Sequence, residues 1–125
     1  MKYKKKDLLI DGFKAESLAK KYSTPLYCYS LKKIKENIDN FKKSFEKVKP
    51  LTCFAVKANP NKILLREIGK LGLGADVVSM GELMKALRSG IKPDKIVFSG
   101  VGKTSKELTY AIEKKILLIN VESKS

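Results

Sequence analysis

The 125 residues contain no histidine, two cysteines and only two arginines, and no apolar run approaches the roughly 20 residues that a membrane-spanning helix needs. Each shortage excludes something. Without histidine, no Ser/His or Cys/His pair can operate within these residues. Cys28 and Cys53 show neither a CxxC pair nor a metal-ligand spacing, so buried free thiols in two predicted strands, in a reducing compartment, are the simplest reading. The basic start, Met1 to Lys6, is followed by Leu8-Leu9-Ile10, which Asp11-Gly12 interrupts. That pattern argues against a secretory signal and for a cytoplasmic protein with no membrane partner.

Acidic residues are also scarce: 13 Asp and Glu stand against 27 Lys and Arg, a formal net charge of +14. Arg66 and Arg88 are the only arginines, whereas nucleic-acid binders favour arginine for bidentate contacts to phosphates and bases. The lysines cluster on the polar faces of predicted helices, as at Lys32, Lys33, Lys35, Lys42, Lys43 and Lys47. A solvated lysine-rich surface is expected, with no nucleic-acid partner. With 43% hydrophobic and 32% charged residues, the composition is that of one ordinary domain or a piece of a larger one.

What is present is an alternation of two periods. Residues 1–12 read as an extended segment, Phe13 to Tyr22 as a helix, and Leu26 to Tyr29 as a short aromatic strand. Ser30 is a good N-cap for a helix to about Val48, with Ile34, Ile38, Phe41, Phe45 and Val48 in one stripe that predicts core packing. Strands are then expected at Leu51–Val56, Ala75–Ser79, Lys95–Ser99 and Ile116–Ile119. Helices between them begin near Lys62, with Ile63, Leu64, Ile68 and Leu71 inward, and at two S/T-x-x-E capping boxes, Ser79/Glu82 and Thr104/Glu107. The second of these carries Leu108, Ala111 and Ile112 inward. Continuously apolar strands imply a parallel sheet covered on both faces. Strand and helix spacing leaves two architectures, an open doubly-wound sheet or a (β/α)₈ barrel. A barrel needs about 250 residues, so the chain is expected to be truncated.

Two nucleotide motifs fail on spacing. Gly102-Lys103-Thr104 invites a P-loop reading, but the first glycine would fall at Val97. Gly69, Gly72 and Gly74 precede a strand instead of following one, so they are not a dinucleotide fingerprint. The polar residues at the strand ends carry more: Lys57, Asp76, Ser79, Ser99 and the group Asn120, Glu122 and Ser123. A lysine at the mouth of a buried strand is desolvated, and its neutral amine can bond an aldehyde or ketone. The blander alternatives are a lysine that snorkels to solvent, and Ser79 and Glu82 as caps alone.

Phe54-Ala-Val-Lys-Ala-Asn-Pro-Asn61 resembles the cofactor-lysine motif of the barrel-type, alanine racemase-like decarboxylases that use pyridoxal 5'-phosphate. Gly74-Ala-Asp-Val-Val-Ser-Met-Gly-Glu82 resembles that superfamily's next strand and turn. Phe98-Ser-Gly-Val-Gly-Lys-Thr104, Asn120-Val-Glu-Ser123, Ile10-Asp-Gly12 and Tyr22-Ser-Thr-Pro-Leu-Tyr27 are similar to the diaminopimelate decarboxylase family in particular. The resemblance implies the α/β fold of the N-terminal part of a parallel (β/α)₈ TIM-type barrel, with residues 1–25 as a lead-in and 26–125 as the first part of the barrel. It implies conversion of meso-diaminopimelate to L-lysine and CO₂ by a homodimer, with pyridoxal 5'-phosphate on Lys57 as a Schiff base and Asp76, Ser79 and Glu82 near the cofactor. The family's ring-stacking histidine, glycine-rich phosphate loop and C-terminal β-domain are not in these residues, so the chain alone is expected to be inactive. Ornithine, arginine or carboxynorspermidine as substrate, a non-catalytic binding homologue, and a basic nucleic-acid module are the competing readings.

Overall fold

The computed structural model describes residues 2–48 and 50–123; Met1, Lys49, Lys124 and Ser125 lie outside the described residues. The chain divides into two compact units, residues 1–49 and 50–125.

In the first unit, β1 (Lys2–Lys4), β2 (Asp7–Ile10) and β3 (Phe13–Lys14) form an antiparallel meander, with Tyr3 opposite Leu8 and Ile10 opposite Phe13. The single extended segment expected over residues 1–12 is therefore folded back on itself. Lys5, Asp11 and Gly12 take positive φ at the two reversals, a backbone that Gly tolerates freely and Asp more readily than most residues. Helix α1 (Ala15–Tyr22) follows directly.

Leu26–Tyr29 is not a strand. A strand is held by a neighbour's ladder of hydrogen bonds, and this segment has none; Tyr27 is 85% exposed. Cys28 is accordingly exposed and Cys53 half-buried, which corrects the expectation of two buried thiols.

Helix α2 (Leu31–Ser44) begins as expected: the Lys33 N–H donates to Ser30 Oγ at 2.9 Å, and the Ser30 hydroxyl donates to Asp11 Oδ1 at 2.6 Å. It ends at Ser44, short of Val48, in a turn where the Phe45 N–H reaches the Lys42 and Lys43 carbonyls. Its apolar stripe is not core: Ile34 and Ile38 are half-buried, and Phe41, Phe45 and Val48 are exposed. Phe41 and Phe45 cover each other instead, with ring centroids 4.8 Å apart.

The second unit is built from β4 (Cys53–Ala55), α3 (Lys62–Lys70), β5 (Gly74–Val77), α4 (Met80–Arg88), β6 (Ile96–Phe98), α5 (Ser105–Glu113) and β7 (Leu118–Ile119), with 3₁₀ turns at Val56–Ala58 and Pro93–Lys95. The four strands are parallel and lie in chain order. Such an order is that of a barrel wall; a doubly-wound sheet reverses direction at a switch point. Each strand is shorter than its apolar run. Single hydrogen bonds extend the ladders, from the Gly74 N–H to Thr52 O, Ser99 N–H to Val77 O and Asn120 N–H to Phe98 O.

Register sorts the strand residues by face. Val56, Ala75, Val77, Ile96 and Phe98 are fully buried against Leu65 of α3, Leu83 and Ala86 of α4 and Ala111 of α5. Full burial of each large side chain in that set contributes about 1.5–3 kcal/mol. On the other face Ala55, Asp76, Val97 and Leu118 stand side by side in one row across all four strands; this open-face row is half-buried at Ala55, Asp76 and Val97 and exposed at Leu118. The reading of strands covered on both faces is corrected: the apolar runs are fully buried on one face, under α3, α4 and α5, and only half-buried or exposed on the other. Two inward assignments change with it. Ile63 is 65% exposed while Leu65 is buried, and Ile112 is exposed while Ala111 is buried. A helix of three turns shows only one narrow stripe to the sheet, and the strands decide which.

Glycines mark where backbones meet. A Cβ on Gly74 would collide with the Lys95 carbonyl oxygen and come within 2.8 Å of Cys53 Sγ, and one on Gly100 would collide with the Val78 carbonyl.

Strands β4 and β7 are the sheet edges, and Leu117 and Leu118 beside the β7 edge are about half exposed. Unpaired parallel edges with apolar side chains template association. We therefore expect residues 1–125 in isolation to self-associate, giving concentration-dependent sedimentation, with Leu118→Lys shifting the distribution toward monomer. A concentration-independent monomer with a well-dispersed amide spectrum would refute this.

Candidate functional site

A parallel sheet delivers the C-terminal ends of all its strands to one edge. Lys57 lies just beyond β4, Ser79 beyond β5, Ser99 beyond β6 and Asn120 beyond β7. Lys57 sits in the 3₁₀ turn and is exposed. The desolvated lysine expected from the strand pattern is corrected: β4 is an edge strand and the Lys57 side chain is exposed. The backbone around Lys57 is nevertheless held. The Asn59 N–H donates to Val56 O at 3.0 Å, the Asn61 N–H donates to Asn59 Oδ1 at 3.1 Å, and Asn61 Oδ1 caps α3 by accepting from the Ile63 and Leu64 N–H groups.

Asp76 is the third residue of β5, half-buried in the open-face row between Ala55 and Val97. Its Oδ1 is buried without a hydrogen-bond partner. A buried acceptor left unsatisfied costs about 1–3 kcal/mol, more when charged. Burial and, after it, the negative charge of Asp76 push the Cys53 thiol pKa up, which places that charge beside the same row. Asn59 Nδ2 is a second buried atom without a partner. Asn59 was not among the strand-end polar residues that the sequence singled out, although it stands two residues after Lys57.

Ser79 and Glu82 both cap. The Glu82 N–H donates to Ser79 Oγ at 3.3 Å, but the Glu82 carboxylate reaches one residue past the usual box partner and accepts from the Val78 N–H at 2.9 Å. The Met80 N–H donates to Glu107 Oε1 at 3.0 Å. Glu107 also closes its own box: its Oε2 accepts from the Thr104 N–H at 3.0 Å and the Thr104 hydroxyl at 2.9 Å. These donors, the Thr104 N–H foremost and then Met80, hold the Glu107 carboxyl below its ordinary range, with burial acting the other way. The resulting stabilisation is fully present above the ordinary carboxylate range and is lost as pH falls through the lowered value. The bond to Met80 spans 27 residues and has no local sequence signature.

On the far side of the rim, Asn120 Nδ2 donates to Ser99 Oγ at 3.1 Å and Lys103 Nζ pairs with Glu122 at 2.9 Å. The Lys103 side chain is only 6% exposed. The structure therefore gathers Lys57, Asp76, Ser79, Ser99 and Asn120 at one end of the sheet, and gives Ser79 and Glu82 backbone-holding roles there.

Comparison with known proteins gives this rim its relatives. Residues 31–125 match the family model described as pyridoxal-dependent decarboxylase, pyridoxal binding domain. The diaminopimelate decarboxylase of Aquifex aeolicus is 48% identical over 99% of this chain and 29% of its own length. A crystal structure of diaminopimelate decarboxylase from Helicobacter pylori complexed with L-lysine superposes with a TM-score of 0.82 at 47% identity, covering 86% of this chain and 27% of that one. Ornithine decarboxylase from Entamoeba histolytica superposes with a TM-score of 0.68 at 31% identity, over 74% of this chain and 28% of that one. The chain thus spans under a third of the length of the relatives it matches. Its parallel strands and helices are the N-terminal part of the decarboxylase barrel, and the chain belongs to the pyridoxal-dependent decarboxylases through their pyridoxal-binding domain.

Proposed function

We propose that these residues are the first part of a diaminopimelate decarboxylase, which converts meso-diaminopimelate to L-lysine and CO₂. The observation that carries the reading is the 48% identity with the Aquifex aeolicus diaminopimelate decarboxylase over 99% of this chain. The lower identity to an ornithine decarboxylase, 31%, disfavours ornithine, a shorter diamino acid, as substrate. In this proposal residues 26–125 belong to the barrel and 1–25 lead into it. The sequence resemblance supports a cytoplasmic homodimer.

The residues present fit pyridoxal phosphate at its aldehyde and ring. Lys57 Nζ is the primary amine that would hold the aldehyde, and the Asp76 carboxylate has a buried oxygen still without a donor. Pyridoxal phosphate, when bound, supplies the electron sink for the pair left behind by departing CO₂. Asp76 accepts a hydrogen bond or opposes a positive charge on the open face of the sheet, and a neighbouring carboxylate favours the protonated form of an amine. Glu82 and Ser79 fix the turn that follows Asp76.

Two outcomes test the assignment in the full-length enzyme. Borohydride reduction with pyridoxal phosphate should leave the cofactor on the Lys57 peptide by mass. Lys57→Ala and Lys57→Arg should each abolish that adduct and lower turnover by about 10³ or more, since a guanidinium stays protonated and cannot act as the amine. A reduced adduct on a different lysine sinks the proposal.

Asp76→Asn should lower kcat by about tenfold or more, the effect of one unit of pKa displacement in a neighbouring group. Ser99→Ala should change it less. If Asp76→Asn alters thermal stability while turnover is intact, Asp76 is only a strand residue.

A further inference from the structure

We infer that the loop after β6, residues 99–104 together with Glu107, is a staple for the rim that positions the Val78–Met80 turn, and through it Asp76 and Ser79, for the cofactor. This rests on the function proposed above. The turn has two N–H groups that end on carboxylates. Val78 is held by Glu82 of α4 at 2.9 Å, from within its own βα unit. Met80 is held by Glu107 of α5 at 3.0 Å, from the next unit along the chain.

Glu107 uses both oxygens. One takes Met80, and the other takes the Thr104 N–H and hydroxyl, so a single carboxylate joins the starts of α4 and α5. Such charge-assisted bonds are roughly twice as strong as neutral ones. Gly100 adds a steric contact: the loop passes so close to Val78 that a Cβ there would meet the Val78 carbonyl carbon at 3.0 Å.

The same loop grips its other neighbour. Lys103 Nζ bonds both Glu122 oxygens, at 2.9 and 3.2 Å, and lies 5.9 Å from the Phe98 ring centroid. A lysine with a 6% exposed side chain and a paired head is a fixed strut rather than a solvated one. One loop therefore ties three consecutive strand ends, those of β5, β6 and β7. Asp76 needs this. It sits half-buried on a four-residue strand, one residue before the last ladder position, and the turn beyond it sets where its unpartnered oxygen points. Glu107 contacts Met80 and Thr104, so it acts through the turn and is a positioning residue.

The test compares Glu107→Gln with Thr104→Ala in the full-length enzyme loaded with pyridoxal phosphate. Glutamine is isosteric but presents an NH₂ where a donor already points. Thr104→Ala weakens the α5 cap and leaves the Glu107–Met80 bond. For Glu107→Gln we expect amide exchange at Met80 to speed at least tenfold, the pH profile of the lysine-bound cofactor's visible absorbance to shift, and kcat to fall at least tenfold with KM within twofold. Thr104→Ala should lower the thermal midpoint and shift the absorbance profile less than Glu107→Gln does, because the Thr104 N–H still holds Glu107 Oε2. Unchanged Met80 exchange, or a Glu107→Gln enzyme that loses only thermal stability, overturns the inference. If Glu107→Gln yields no folded protein, Glu122→Gln tests the other flank: faster exchange at Asn120 with a shifted absorbance profile supports the staple, and an unchanged profile overturns it. A wild-type enzyme with no lysine-bound cofactor defeats the proposed function instead, while Met80 exchange still decides whether the staple exists.

Discussion

Burial of one face of a four-stranded parallel sheet under three helices is the interaction on which residues 50–125 depend. Phe98, Ile96, Val77 and Val56 supply most of the strand side of that core, and Leu65, Ile68 and Leu83 the helix side. The pleat makes the consequence unavoidable. If alternate residues are buried outward, the residues between them form a second row, and here that row is Ala55, Asp76, Val97 and Leu118. The site thus comes from the same register that builds the core. A one-residue slip of β5 would bury Asp76 under α4 and expose Ala75 and Val77, so folding and site formation cannot be separated.

The rim is organised by capping as much as by packing. Short helices leave their first N–H groups unpaired, and those groups need acceptors. Here Asn61, Ser79, Glu82, Thr104 and Glu107 meet that need, and because two of the acceptors reach beyond their own helix start, satisfying backbone groups also fixes loops to one another. Lys103 and Glu122 extend the pattern with an ion pair shielded from solvent on the lysine side. Of the five ion pairs described, this lysine alone is withdrawn from solvent; the others join exposed lysines and add little.

In the first unit the hydrophobic pattern is present without a core to receive it. Phe41, Phe45 and Val48 of the α2 stripe stay exposed, as do Tyr22, Tyr27 and Tyr29. Periodicity reports which side chains favour burial, and burial itself requires a surface to pack against.

Much of the fold was legible along the chain. The order of helices and strands from Ser30 onward and the caps at Ser30, Ser79 and Thr104 follow from short-range chemistry: period, capping geometry and glycine or proline punctuation; the segment around Lys57 was legible only as a family resemblance, since its local chemistry fits a solvated lysine equally well. The meander at residues 2–14 was hidden because positive φ at Lys5 has no residue signature. The loss of the Leu26–Tyr29 strand was hidden because strand formation depends on a partner elsewhere. What only the tertiary structure decided is which face each apolar run buries, that Lys57 stands exposed at an edge, that Asp76 keeps a buried oxygen unpartnered, and that Glu107 reaches Met80. The physical reason is common to all four. The sequence by itself determined what each residue prefers locally, whereas burial, edge position and hydrogen bonding across 27 residues exist only once separate βα units are set side by side.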